Sequence, residues 1–413
     1  MENSMNNALN SSLNKKEKLS WQDWALLFNA SNFKFIIVSF YMIGLITVLK
    51  DHQLDLKLIS WIYLLSIFEV IKVVITPLLE KFYFKSIGKF KTWLLLSSSL
   101  LFASFLWLYF IDPQRDFGIL MFICACLSLM SVIFGCATLG LTVILLPENQ
   151  RGYGGVFQII GSRLGRMLGG GLFLFIYQHY GWDQAILFIC LFGLVVFLQV
   201  LFYRETHTET VSANQYSLGF FFKRLIQFWQ QPNAGYYWFA ILFLCCVPYS
   251  LLASTFVPKL STLNWQPQQI GFVLSIVVPV VSIIFTPLSV PLLKKMSRSA
   301  LLKWGLFIQI PVVISFYFED HLIYQDYLFS LPIILLSAGY SILLPILMTL
   351  LMDKATFPTV DSSLQFTILL LGTYTTGFLS LRLIDLIGYN GIYFVSTLFA
   401  VLVWALAYRE YNQ

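Results

Sequence analysis

Four charged residues sit well inside apolar stretches of this 413-residue chain: Glu69, Lys72, Arg163 and Arg166. A charge at the centre of a bilayer-spanning helix costs about 2.5–3.5 kcal/mol on insertion scales, so such residues are the first candidates for binding or ion transfer. Glu69 and Lys72 are three positions apart, which puts them on one helix face as an ion pair whose attraction lowers the cost of burial. That pair either serves a ligand and a coupling ion or only fixes helix packing. Arg163 and Arg166 also share a face, with Arg166 either contributing to a site or snorkelling toward headgroups. The four charges sum to a positive balance, which suits an anionic ligand, and guanidinium groups match carboxylates in particular.

Polar groups are plentiful in the apolar stretches of the second half, among them Tyr249, Gln309, Tyr340, Gln365, Thr373 and Tyr374. Gln365 and Tyr374 are the expected substrate contacts among these, and helix-to-helix hydrogen bonding is the alternative for each. Other chemistry finds little support. His52, His179, His207 and His321 all fall outside the centres of spans, so neither a metal cage nor a histidine proton relay is expected. The six cysteines lie in apolar runs without CxxC spacing, and no serine or cysteine has a plausible histidine partner. The expectation is therefore a protein that is not an enzyme and carries no cofactor and no resident metal. Gly161, Gly165 and Gly169 recur every fourth residue and form a stripe along which another helix can approach closely. A nucleotide-binding GxG reading fails because no alternating strand and helix pattern surrounds these glycines.

The elements that must position these groups follow from composition. Hydrophobic residues make up 58% of the chain and charged residues only 11%, against about 45–50% and 25% in soluble proteins. A bilayer span needs about 20 apolar residues. Twelve such runs are legible, at 33–49, 57–79, 93–111, 118–146, 154–178, 184–202, 236–256, 269–292, 299–318, 327–352, 362–384 and 389–408. The fold class expected is an all-α membrane protein of twelve transmembrane helices in two six-helix halves, 33–202 and 236–408. Residues 1–32 read as a cytoplasmic tail without a signal peptide, 203–235 as a cytoplasmic linker with an amphipathic helix around Lys223 and Arg224, and 409–413 as a cytoplasmic end. Lysines and arginines crowd the loops on the side of both termini, Lys34 being counted at the cytoplasmic end of the first span. Only Lys50, Lys57, Arg115 and Lys259 fall on the other side. The excess of basic charge is thus an orientation signal and not a nucleic-acid site. Two six-helix halves place a substrate site near the midplane between repeats.

The loops carry a resemblance. Lys72-Val73-Val74-Ile75-Thr76-Pro77-Leu78-Leu79-Glu80-Lys81 resembles the K-x-x-W-x-P-x-x-D-R signature of the muropeptide permease and acetyl-CoA transporter branch of the major facilitators. Gly88-Lys89-Phe90-Lys91-Thr92-Trp93 is similar to the G-R-x-R-x-W that follows it. Ala137 to Val143, Arg151-Gly152-Tyr153-Gly154-Gly155, the Gly-rich fifth span to Gly181-Trp182, Met352-Asp353 and Val360 to Gln365 resemble the rhizobactin- and pyochelin-type siderophore importers of that branch. The resemblance implies the major facilitator fold and a cytoplasmic gate made of Pro77, Glu80, Lys81, Gly88, Lys89 and Lys91, with basic groups paired to Glu80. One departure is that Leu139 stands where the branch has an acidic residue, and Phe134-Gly135 replace a Gln-Asp pair.

The resulting expectation is an inner-membrane transporter that works as a monomer by alternating access, moves a small molecule and draws on protons by analogy. Its first-choice substrate is a ferric siderophore or similar anionic metabolite, with iron only as cargo. Lys72 and Arg163 bind the anion, Glu69 positions Lys72 or carries a proton, and Arg166 adds to the field. Alternatives are a muropeptide or peptide importer, a siderophore or drug exporter, a non-transporting membrane sensor and a membrane enzyme.

Overall fold

A computed structural model describes residues 19–52, 54, 61–65, 67–84, 86–205, 218–231, 234–263, 265, 270, 272–318 and 330–411. The tail up to Lys18, Lys57, Lys85, the linker stretch with His207 and Glu209, and the loop with His321 lie outside the described residues. The described residues are predominantly helical, with no strand among them. Among the described residues, eleven helices are long and apolar enough to cross a membrane. They are α1 (Trp21–Leu49), α3 (Lys89–Leu108), α4 (Phe117–Leu145), α5 (Glu148–Tyr180), α6 (Trp182–Phe202), α8 (Tyr236–Leu260), α9 (Val278–Lys295), α10 (Arg298–Phe318), α11 (Leu331–Asp353), α12 (Pro358–Ile384) and α13 (Leu386–Glu410). The second expected span is represented by α2, Ile67–Lys81, whose described length is 15 residues. The linker contributes α7, Leu218–Gln227. This is a twelve-span, all-α membrane architecture with one additional helix between the sixth and seventh spans.

The first helix starts ahead of the expected span. It begins at Trp21 instead of residue 33 because Ser20 and Asp23 form a capping box. The Ser20 hydroxyl accepts from the Asp23 amide at 3.2 Å, and the Asp23 carboxylate accepts from the Ser20 amide at 2.9 Å. Two of the otherwise orphaned amides of the first turn are thereby satisfied, and the apolar run from Trp24 onward continues the helix without a break. Lys34 consequently lies near the middle of α1 and not at its end.

By internal packing the chain divides into two units. The first comprises Met1–Arg224 together with Thr356–Ser363, so the opening turn of α12 belongs to it. Its apolar core joins Phe33, Phe40, Phe105, Phe134 and Phe173, all fully buried. The glycine stripe of α5 lies against α1. A Cβ at Gly161 would come within 3.0 Å of the Ser31 backbone carbon, one at Gly165 would overlap Phe35, and one at Gly169 would overlap the Ile36 carbonyl. At the same crossing both helices widen into a π-turn, Phe40–Leu45 in α1 and Met167–Leu172 in α5. Side chains larger than hydrogen are excluded there, so the two backbones touch directly.

The second unit comprises Leu225–Ala355 and Leu364–Gln413. Short polar side chains tie its helices to α8: the Ser250 hydroxyl donates to the Thr373 carbonyl at 2.6 Å, Ser380 to the Leu251 carbonyl at 2.8 Å, and Ser396 to the Pro248 carbonyl at 3.0 Å. In an apolar solvent such bonds replace the hydrophobic drive that lipid cannot supply. Near the start of α13 the backbone leaves helical geometry at Gly388, whose φ of 66° with ψ −179° is a conformation that other residues rarely adopt.

Replacing Gly169 by Ala is expected to push α1 and α5 apart and destabilise the protein by about 1–3 kcal/mol, whereas Ala at Gly171, which has nothing within 4 Å of its position, is tolerated. Thermal unfolding of the two variants in detergent, followed by size exclusion, checks the contrast; equal melting temperatures would refute the direct contact.

Candidate functional site

The buried charge cluster of the first unit contains three residues and not two. Glu69 and Lys72 lie one helical turn apart on α2, with the Lys72 ammonium 3.4 Å from Glu69 Oε2. The other carboxylate oxygen, Oε1, is taken by Lys34 of α1 at 3.2 Å. Each oxygen thus faces one ammonium, and the group as a whole carries one net positive charge. From the sequence Lys34 is expected at the cytoplasmic end of the first span. The signal that would have moved it is the Ser20–Asp23 capping pattern, which starts the helix early enough to carry Lys34 into the span.

The stem of Lys34 crosses α4 at Gly135, where an added Cβ would lie 2.6 Å from Lys34 Cδ. Gly135 is one of the two positions at which the resembled branch carries a polar pair. Its small size is what admits the lysine. Access differs across the cluster: the side chains of Lys34, Glu69 and Lys72 are 14%, 11% and 3% exposed. Lys34 is thus the more accessible of the two cations and Lys72 the more deeply buried.

The remaining expected ligand contacts separate. Arg163 is half-buried on α5, and its Nε is buried without a hydrogen-bond partner among the described residues. An unpartnered guanidinium nitrogen away from water is costly and asks for an anion or a water. Arg166 is exposed on the helix surface, as is Tyr374 on α12. Gln365, expected to contact substrate, is engaged in packing in this structure. It is fully buried, accepts from the Trp238 indole at 2.8 Å and donates to the Leu351 carbonyl at 3.1 Å, so both ends of its amide are used within the second unit. Gln309, which sequence reasoning noted only in passing, is buried against Gly339 with its carbonyl oxygen unpartnered among the described residues.

A second layer of buried charge lies at the end of the first unit that carries the linker. Glu80 is fully buried one turn after Pro77, which lies inside α2. One of its oxygens is ion-paired with Lys89, the first residue of α3, and the other accepts from the Thr359 amide in the first turn of α12 at 2.9 Å. The second bond sets a carboxylate at a helix N-terminus, where exposed amides and the helix dipole both favour negative charge. Trp93 adds indole bonds to the carbonyls of Leu79 and Phe82, at 3.2 and 2.7 Å, fixing the turn between α2 and α3. Lys81 closes α2, and Lys91 donates its side chain to the Leu201 carbonyl at 3.0 Å.

Gly88 is required twice over. Its φ of 112° suits glycine, and an added Cβ would lie 2.6 Å from Glu205 Oε2. That same oxygen accepts from the amides of Phe90 and Lys91 at 3.0 and 2.7 Å and so caps α3. Burial holds the Glu205 carboxyl above its ordinary pKa, a rise that the backbone amides of α3 oppose only in part.

Comparison with known proteins gives a consistent picture. The family model described as Major Facilitator Superfamily matches residues 24–360. An anhydromuropeptide permease of Escherichia coli (strain K12) is 26% identical over 137 residues, covering 32% of this chain and 27% of that one. The curated relatives that match are covered over less than half of their length. Among solved structures, the proton:xylose symporter XylE aligns with a TM-score of 0.70 at 12% identity, over 94% of this chain and 95% of that one. A bacterial homologue of the iron transporter ferroportin aligns with a TM-score of 0.65 at 13% identity, over 96% and 100%. At such identities the likeness is one of fold.

Replacing Glu69 by Gln leaves two buried ammonium groups without their shared partner and is expected to destabilise the protein by about 3–5 kcal/mol. Adding Lys72→Gln to that variant is expected to restore part of the loss. Thermal unfolding of single and double variants in detergent measures both, and a Glu69→Gln variant as stable as the parent would show that the cluster is not the buried charge centre described.

Proposed function

This chain belongs to the Major Facilitator Superfamily and is a multi-pass secondary transporter and not an enzyme, and on that premise we propose that it imports an anionic, carboxylate-bearing metabolite across the bacterial inner membrane. The observation that carries the reading is the Lys34–Glu69–Lys72 cluster, a buried group with one net positive charge whose outermost member is a lysine. The unpartnered Nε of Arg163 adds a second donor suited to the same kind of ligand. In this reading both termini are cytoplasmic, the protein works as a monomer, and the two six-helix halves alternate access to the site.

Glu69 holds both ammonium groups in place while the site is empty. Protonation of Glu69 alone would leave two uncompensated cations in a low dielectric, and an anion alone would compete with Glu69 for them. Proton and anion binding therefore favour one another, which is the reciprocity that a symporter needs. The proton is thus proposed as the coupling ion, with Glu69 as its carrier.

A ferric siderophore bearing carboxylates is the first substrate proposed, on the strength of the Gly-rich fifth span and the Val360 to Gln365 stretch that resemble siderophore importers. The second reading is a muropeptide, which also presents carboxylates, and the local identity to the anhydromuropeptide permease favours it. Uptake of radioactive iron presented as several siderophore chelates, with labelled anhydromuropeptide in parallel, separates the two in cells with and without the gene.

Lys72→Ala at normal membrane abundance is expected to abolish uptake of the solute that depends on the gene. Lys34→Gln is expected to weaken apparent affinity by about tenfold or more through loss of a charge-assisted hydrogen bond. Unchanged uptake in Lys72→Ala would remove the cluster from the binding site. If cells lacking the gene instead retain more siderophore, the direction is outward and the import reading fails.

A further inference from the structure

The connection between the two six-helix halves supplies a residue to each of the two helices that bind Glu80. At its start, Glu205 caps α3 through the amides of Phe90 and Lys91, and α3 carries Lys89, the ion-pair partner of Glu80. At its other end, Arg224 of α7 reaches Asp361 in the first turn of α12, with Nε 3.3 Å from Oδ1 and Nη2 3.2 Å from Oδ2. Thr359, two residues before Asp361, gives its amide to Glu80.

Asp361 is fully buried, and its Oδ2 also accepts from the amides of Thr356 and Phe357, each at 2.9 Å. The Arg224 guanidinium lies 5.4 Å over the Phe357 ring, and the same ring meets Phe220 and Phe221 edge-on at 5.7 and 5.4 Å. The two-pronged pair, the cation–π contact and the aromatic cluster all join α7 to the turn Thr356–Ser363, and all of these residues lie within the first unit. An ordinary tether needs none of them.

We propose that Glu205 and Arg224 are positioning residues of the Glu80 lock, each holding in place one of the two groups that bind the Glu80 carboxylate. Arg224 fixes the α12 turn so that the Thr359 amide points at Glu80, and Glu205 fixes the first turn of α3 so that Lys89 does. The connection thereby sets how readily the lock opens. Only the consequence for transport rests on the function proposed above, because the lock itself can be followed without any cargo.

Cys136 is a built-in reporter. It is buried on α4, and the Ser363 hydroxyl at the end of the α12 turn donates to its sulfur at 3.6 Å. Cys124, on the same helix, is buried in the core of the first unit and serves as the control. Membranes containing the full chain are treated with N-ethylmaleimide, and modification at the two cysteines is followed by peptide mass spectrometry. Arg224→Ala is expected to raise the modification rate of Cys136 by about tenfold or more, as loss of a bond between charged groups allows, with Cys124 unchanged. Arg224→Lys, which keeps the charge and loses the fork, falls between this variant and the parent. Glu205→Ala behaves like Arg224→Ala, whereas Glu205→Gln, which retains an oxygen for the two amides, stays near the parent. An unchanged Cys136 rate in both alanine variants overturns the proposal. So does a rise at Cys124 in step with Cys136, which would show general loosening of the unit and no specific hold on the lock.

Discussion

A carboxylate shut away from water needs cations or hydrogen-bond donors around it, and Glu69 is the group around which the first unit meets this condition with cations. Its two oxygens face two ammonium groups from different helices. For Lys34 to arrive from α1, that helix must start as early as Trp21, must lie close to α5, and must pass α4 where the opposing side chain is a hydrogen atom. The Ser20 cap, the glycines at 161, 165 and 169 and the glycine at 135 meet these requirements in turn. A transfer of charge out of water that would cost several kcal/mol for each ion is thus offset by geometry that the surrounding helices impose.

The same solution recurs toward the linker. Glu80 and Asp361 are fully buried, and each combines a cationic side chain with backbone amides, Lys89 and Thr359 in one case, Arg224, Thr356 and Phe357 in the other. Glu205 uses backbone amides of α3. The amides concerned are those at or just before the starts of α3 and α12, groups that have no partner within their own helix and would be expensive to leave unmade in this environment. Acidic side chains and helix starts therefore satisfy one another, and the polar layer is held by mutual need.

Fold and chemistry carry different amounts of information about function. The helical architecture belongs to a superfamily that moves many kinds of solute, so it identifies a transporter and leaves the solute to individual side chains. The buried side chains of the first unit include several cations, with Lys34 the more exposed lysine of the Glu69 cluster and Arg163 holding a nitrogen without a partner among the described residues. Among the described residues, buried polar side chains of the second unit are mainly hydroxyl and amide groups, several of which, Gln365 among them, are consumed by bonds between its own helices.

What the sequence determined by itself is the set of properties that depend on neighbours along the chain. Bilayer thickness fixes span length, so apolar runs reveal the helices; spacing of three puts Glu69 and Lys72 on one face; spacing of four aligns Gly161, Gly165 and Gly169. The tertiary structure alone decided which helix those glycines admit, that Lys34 completes the Glu69 cluster, that Gln365 turns inward, and that Arg224 meets Asp361 across 137 positions of sequence. The physical reason is the same in each case. A lysine near the end of an apolar run is outside or inside according to where its helix begins, and a polar side chain binds a ligand or a neighbour according to what packs beside it. Both outcomes are set by contacts between segments that are remote in the chain, and no local pattern encodes them.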